Sequence, residues 1–246
     1  MRGMLLGTGG YHPNERRHTA CVMFPEIGVV FDAGSAFFRV PSRTQTDSLQ
    51  VFLTHAHLDH ICGLTYPLVA MLSKQIKHIK IYGEADKLAA IREHLFSELM
   101  FPVLPAFEFV QMGVGDTIQV PHGGTLTTCR LEHPGNSLGF RLDWPDRSLA
   151  YITDTVANGL YTEFVHDVDV LIHECYFPDA QAEWAVKTGH SHTTPVAQLA
   201  KDAHAKRLIL VHVDPQQEVD DPIGLDVARR IFPATIIGED LMEFDF

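Results

Sequence analysis

At 246 residues, with 46% hydrophobic and 20% charged side chains and a mean hydropathy near zero, the chain has the composition of a folded globular domain, not of a disordered or membrane chain. A net charge of −12 disfavours a polyanionic partner unless bound cations or local arginines reverse the sign inside a cleft. Four cysteines without a Cys-x-x-Cys pair argue against a disulfide framework and a zinc ribbon, so free thiols are expected.

No apolar run approaches the roughly 20 residues that a bilayer-crossing helix needs, and residues 1–6 lack the apolar region and cleavage site of a signal peptide. A cytoplasmic protein without a membrane partner is therefore expected. Residues 3–10 read as a short apolar strand closing in Gly7-Thr8-Gly9-Gly10, where a tight turn is preferred to a phosphate cradle because no helical pattern follows. Strands are expected at 19–24 and 28–31, the second ending in the turn Asp32-Ala33-Gly34. Residues 49–54 read as a buried strand, and a helix is expected from His60 to Ser73. Between them lies Thr54-His55-Ala56-His57-Leu58-Asp59-His60, with four metal-binding side chains in six residues, on a loop of the kind that carries chemistry.

Further along, a strand is expected at 78–82, a helix at 85–99 and a strand near 106–112. The pattern then becomes mostly β, with strands at 117–120, 125–132, 137–143 and 148–153. Helix and strand alternate again from there: strand 168–173, helix 194–205, strand 208–211 and helix 225–231. Thr194 and Pro195 suit the cap and first turn of the 194–205 helix, with Val196, Leu199, Ala200 and Ala203 on its apolar face. The two halves echo each other. This predicts a single α/β domain over residues 1–246, an αββα four-layer sandwich of two βα halves.

Imidazole and carboxylate ligands suit a borderline ion such as zinc, and alternation along an extended segment points His55 and His57 the same way. One ion cannot easily accept four ligands from six consecutive residues, so Asp59 and His60 are read as serving a second; ion pairs roughly 3.5–4 Å apart are a recurrent hydrolytic device. Further ligand candidates stand at three expected strand ends: His133, Asp154 and His212. Two divalent metal ions are expected, zinc first, with manganese or iron also accepted by mixed His and Asp ligands.

The intact His-x-His-x-Asp-His sequence at 55–60 resembles the signature of the metallo-β-lactamase-fold hydrolases. That resemblance implies the metallo-β-lactamase fold, a first metal on His55, His57 and His133, a second on Asp59, His60 and His212, and Asp154 bridging them. Asp32 matches the aspartate that steadies the metal loop in this family. Three stretches are similar to the branch that holds tRNase Z and small phosphodiesterases: Leu6-Gly7-Thr8-Gly9 with Pro13, Glu15 and Arg16, then His173-Glu174-Cys175-Tyr176, then Gly189-His190-Ser191-His192. By that match Glu174 and His190 form an acid pair that protonates the leaving oxygen, with His192 as the alternative partner. The implied function is a dinuclear metal-dependent phosphodiesterase with a metal-bound hydroxide nucleophile, Asp59, Glu174 and His190 being its catalytic set, and a homodimer is plausible by the same resemblance.

Departures from the branch narrow this reading. Only residues 134–153 separate His133 from Asp154, which leaves room for a hairpin but not for the long tRNA-gripping arm, and Ala33-Gly34-Ser35-Ala36 replaces the branch's Gly-Glu-Gly-Thr. Together with the acidic charge these weigh against tRNA and toward a small phosphodiester or short-nucleotide substrate. Arg16, Arg17, Arg39 and Arg43 are candidates to grip a phosphate, with ordinary solvated surface as the alternative. His12, His18, His78, His94, His122, His166 and His204 read as exposed polar residues. Two other functions remain open: hydrolysis of a carboxylic ester, lactone, thioester or lactam on the same metals, and a non-catalytic metal- or ligand-binding module.

Overall fold

The computed structural model describes residues 1–217 and 219–246. The chain divides into two compact units, residues 1–113 with 240–245, and residues 114–239 with 246. In the first unit the strands are β1 (Arg2–Gly7), β2 (Cys21–Phe24), β3 (Val29–Phe31), β4 (Ser48–Phe52), β5 (His78–Gly83) and β6 (Phe107–Gln111). Its helices are short: α1 (Leu58–Ile61), α2 (Leu68–Leu72) and α3 (Ala85–Ala90). β2 and β3 are buried along their whole length, as unbroken apolar runs require when both faces of a sheet are covered. Their side chains join a core of Leu6, Met23, Val30, Phe37, Val51 and Ile81, each worth about 1.5–3 kcal/mol when removed from water.

The second unit runs β7 (Thr117–Val120), β8 (Gly124–Leu131), β9 (Ser137–Trp144), β10 (Arg147–Ile152), β11 (Val170–Glu174), α4 (Ala182–Thr188), α5 (Thr193–Asp202), β12 (Leu208–Val211), α6 (Leu225–Ile231) and β13 (Thr235–Ile237). A last strand, β14 (Met242–Asp245), returns to the first unit and pairs antiparallel with β1. The sheet orders are β14-β1-β2-β3-β4-β5-β6 and β13-β12-β11-β10-β9-β8-β7. Each sheet changes character along its width. From β14 to β3 and from β7 to β10 neighbours are antiparallel, whereas from β3 to β6 and from β10 to β13 they are parallel. The carboxyl ends of parallel strands are where open α/β sheets hold ligands.

Several elements differ from the sequence expectation. The helix expected over 60–73 is three pieces, α1, a 3-10 turn at Cys62–Thr65, and α2. Pro67 offers no backbone donor, and Gly63 packs so tightly that a Cβ there would lie 2.3 Å from the Gly34 carbonyl oxygen. The helix expected over 85–99 passes from α3 into a π-helical turn at Ile91–Leu95 and stops there. α5 begins at Thr193, with His192 in the cap position and no capping bond from its own side chain, so Thr194 is not the cap. α4, β13 and β14 carry too weak a periodic pattern to be seen in advance; α4 exposes Trp184 and Val186. All four cysteines are free, and among the described residues no helix is long and apolar enough to cross a membrane.

Candidate metal centre

In the first unit the site is built around the end of β3. Because β3 and β4 run parallel with Phe31 opposite Phe52, the residues that follow them emerge side by side. Asp32, fully buried, turns there in the left-handed conformation at φ 58°, which is uncommon for any residue but glycine and is tolerated best by Asp, Asn and His. Its Oδ1 accepts from the Thr54 N–H at 2.9 Å and from Thr54 Oγ1 at 3.0 Å, and its Oδ2 accepts from His60 Nδ1–H at 2.8 Å. With Nδ1 so engaged, His60 keeps Nε2 for a ligand, the orientation that a carboxylate imposes on a metal-binding histidine. The His55 ring lies 4.4 Å from that of His57 and 4.3 Å from that of His60.

Asp59 completes this half. Its Oδ2 lies 3.3 Å from His60 Nε2 and accepts the Tyr11 N–H at 3.0 Å, so the loop after β1 clamps it. The clamp needs close backbone approach: a Cβ on Gly34 would lie 2.2 Å from the Asp59 carbonyl oxygen. A half-buried hub that the sequence did not reveal, Asp240, secures the same loop, accepting from Thr8 N–H (3.0 Å), Thr8 Oγ1 (2.8 Å), His18 N–H (2.8 Å) and Arg39 (2.6 Å).

In the second unit the donors come from separate strands. Asp154 follows β10 and His212 follows β12, both in the left-handed conformation, at φ 51° and 55°. The parallel register, Ile152 opposite His173 and Glu174 opposite Val211, brings these strand ends to one edge. Each Asp154 oxygen faces a different imidazole: Oδ1 is 3.8 Å from His133 Nε2 and Oδ2 is 3.4 Å from His212 Nε2. His133 Nδ1–H donates to the Gly189 carbonyl at 3.1 Å, which again leaves Nε2 for a ligand.

These donors fit divalent ions. A charge-assisted hydrogen bond would draw N and O to about 2.7–2.9 Å, whereas two ligands each about 2.1 Å from a tetrahedral ion stand about 3.4 Å apart. The Asp59–His60 and Asp154–His212 separations of 3.3 and 3.4 Å match the second arrangement.

Beside Asp154 and His212 stands Glu174 at the end of β11, with no exposed surface. It accepts from the Thr155 N–H (2.7 Å), the Ser191 N–H (2.9 Å) and His190 Nδ1–H (3.0 Å). Burial opposes its ionisation, but the adjacent His190 and His212 outweigh that and hold the carboxyl below the usual carboxylate range. His190 stacks on Tyr176 at 4.9 Å and on His212 at 5.4 Å. Gly189 ends α4 in the left-handed conformation at φ 77°, and a Cβ there would press to 2.9 Å from Pro134; the chain can deliver His190 to Glu174 because this residue is glycine.

The sequence left two histidines as possible partners of Glu174, and they part company here. His192 turns to Asp179 at 2.6 Å, half-buried, not solvent-exposed. Asp179 also accepts from the Thr194 N–H (2.8 Å) and Thr194 Oγ1 (2.5 Å), so it caps α5 from outside the helix. Two of the arginines considered for phosphate are structural: Arg17 is buried with a bond to Thr8 Oγ1 at 2.6 Å, and Arg39 is held by Asp240 and the Leu6 carbonyl. Arg43 bonds to Ser42 and the Arg39 carbonyl. Among the histidines read as exposed, His18 is half-buried against Ser35 at 3.1 Å and His166 is half-buried beside Asp167 at 3.1 Å.

Residues 28–213 match the sequence model of the β-lactamase superfamily domain, so the chain belongs to that family. Its fold is the metallo-β-lactamase fold: it superposes on the metallo-β-lactamase fold protein YhfI of Bacillus subtilis with a TM-score of 0.82 at 20% identity over 99% of both chains. Within the family it is a hydrolase of the ribonuclease Z-like branch. It is 24% identical to the ribonuclease Z of Archaeoglobus fulgidus over 303 aligned positions, covering 98% of this chain and 96% of that one. It resembles human tRNase Z, short form, with a TM-score of 0.73 at 25% identity over 100% of this chain and 99% of that one.

Proposed function

We propose that the chain is a dinuclear metal-dependent phosphodiesterase acting on a small phosphodiester or short nucleotide. By the resemblance of the motif at 55–60, His55, His57 and His133 would hold the first ion, Asp59, His60 and His212 the second, and Asp154 would serve both. The observation that carries the reading is the Glu174–His190 pair, bonded at 3.0 Å beside Asp154 and His212. When bound, the ions neutralise charge on the phosphoryl oxygens and acidify a water to serve as nucleophile.

The protein's own groups manage the leaving oxygen. Glu174, held ionised by its neighbours, fixes the His190 ring through Nδ1–H and stabilises its protonated form. Nε2–H of His190 then donates to the departing alkoxide, which leaves faster as an alcohol. Tyr176 stacked on the ring keeps it from rotating away. Asp32 and the Tyr11 amide hold His60 and Asp59 in place through the reaction.

Substrate size follows from the stretch before Asp154. The antiparallel hairpin β9–β10 takes up residues 137–152, with no arm projecting from it. The Archaeoglobus relative aligns over more positions than this chain has residues, so it carries segments that are missing here. Both support a smaller substrate than tRNA.

The test is elemental analysis of the purified protein followed by a panel of bis(p-nitrophenyl) phosphate, cyclic nucleotides, short RNA, lactones and thioesters. About two divalent ions per chain and cleavage of phosphodiesters are expected. Turnover of lactones or thioesters in preference to every phosphodiester would reverse the assignment.

A further inference from the structure

Beside the acid pair, the second unit contains a cavity of about 450 Å³, within the size range of small-ligand sites. It is lined by the aromatic residues Tyr176, Phe177 and Trp184 and by the polar residues Gln181, Asp214, Gln216 and Gln217. Tyr176 belongs to both places, lining the cavity and stacking on His190 with 25° between the ring planes. A ligand in the cavity and a phosphoryl group served by His190 would therefore share one aromatic wall.

The walls favour a flat ring. Tyr176 and Phe177 lie 4.7 Å apart, and Trp184 is 55% exposed with the Lys187 ammonium 4.5 Å from its ring centre. A large aromatic side chain left open at a cavity offers a stacking face that any nucleobase can use. The polar groups then select an edge. Gln181 lines the cavity, and its Oε1, buried and without a hydrogen bond among the described residues, gains a donor once the side chain turns toward a ligand. Asp214 is 8% exposed, and its Oδ1 takes one bond from the Gln216 N–H at 3.0 Å, leaving further acceptor capacity on the carboxylate.

Buried acceptors call for a base rich in donors. Guanine presents N1–H and N2–H2 side by side, adenine and cytosine present one amino group each, and uracil presents a single ring N–H. We propose that this cavity holds a nucleobase of the substrate, guanine in preference to uracil, so that the substrate is a guanosine-containing phosphodiester. The assignment rests on the phosphodiesterase reading of the metal centre.

The metal-loaded protein is titrated calorimetrically with GMP, AMP, CMP and UMP, which share ribose and phosphate and differ only in the base. GMP is expected to bind about tenfold more tightly than UMP, the step that one satisfied buried hydrogen bond supplies, and to quench Trp184 fluorescence. Trp184→Ala should weaken all four, and Gln181→Leu should bring the GMP-to-UMP ratio close to one. Equal affinity of the wild-type protein for GMP and UMP overturns the proposal, as does an undiminished ratio in Gln181→Leu. Hydrolysis of bis(p-nitrophenyl) phosphate by the same preparation separates the two readings. Cleavage without base discrimination overturns the cavity assignment alone, whereas discrimination without cleavage of any phosphodiester supports base recognition and overturns the phosphodiesterase reading.

Discussion

The two units supply the proposed metal donors in opposite ways. The first concentrates His55, His57, Asp59 and His60 in the loop after β4 and the α1 turn that follows it, supported by Asp32 at the end of the neighbouring strand. The second draws His133, Asp154 and His212 from the ends of three strands and depends on strand register to bring them together. A concentrated half can be disturbed one ligand at a time, whereas a dispersed half pivots on the residue that two others share. Asp154 is that residue.

The largest effect is therefore expected from Asp154→Ala. Loss of several kcal/mol of charge stabilisation should lower phosphodiester hydrolysis on the order of 10³-fold or more, and elemental analysis should find both ions depleted. Asp59→Ala should also abolish hydrolysis but retain about one ion, since the three histidines assigned to the first ion are untouched. Equal metal content in the two variants would break the comparison between the halves.

Glu174→Gln tests the acid pair. A fall in kcat of about 10²–10⁴-fold is expected for alkyl phosphodiesters, with little change in metal content. Esters of p-nitrophenol, whose leaving group needs no proton, should lose much less. A uniform loss across both substrate types would count against proton donation.

Asp32→Ala sharpens the view of the concentrated half. The His60 Nδ1–H would lose its acceptor, and metal affinity, read by titration, should drop about 10–100-fold. Unchanged affinity would mean that the loop holds its own shape.

The smallest effect concerns folding rather than the metals. Burial works against ionisation of Asp179, but bonds from Thr194 and His192 outweigh it and set its carboxyl below the usual range. A carboxylate whose folded-state value is depressed contributes stability above its unfolded value, near pH 3.9, and loses it as pH falls through the lower folded value. Asp179→Ala should thus cost about 0.5–1 kcal/mol in urea unfolding at pH 7, and the difference from wild type should shrink below about pH 4. A constant difference down to pH 2 would show that the charge is irrelevant to the cap.

How far each part was readable from sequence follows the same contrast. The cluster at 55–60 was legible as a candidate because its histidines and aspartate are adjacent and two of them alternate, although Asp59 and His60 fall in α1 and not in a loop. Strands such as β7 and β12 were legible because short apolar or alternating runs between turn residues have few alternatives. The helix expected at 60–73 fractured because tertiary contacts, with the Cβ-free approach of Gly63 to Gly34 among them, override helical periodicity. Asp240 could not be found at all, since its partners Thr8, His18 and Arg39 lie more than 200 positions away along the chain.

The sequence by itself supplied the groups: histidines and aspartates of the kind that suit metal ions, Glu174 with two candidate histidine partners, and alternating strands and helices able to present them. It could offer His190 and His192 as equals in type, two residues apart. Only the tertiary structure sent one to Glu174 and the other to Asp179, because a left-handed Gly189 ends α4 and the cap of α5 claims the second ring. It also placed Asp32, Asp154 and His212 in left-handed turns at strand ends, a backbone strain that the surrounding sheet maintains and that no pattern of residues announces.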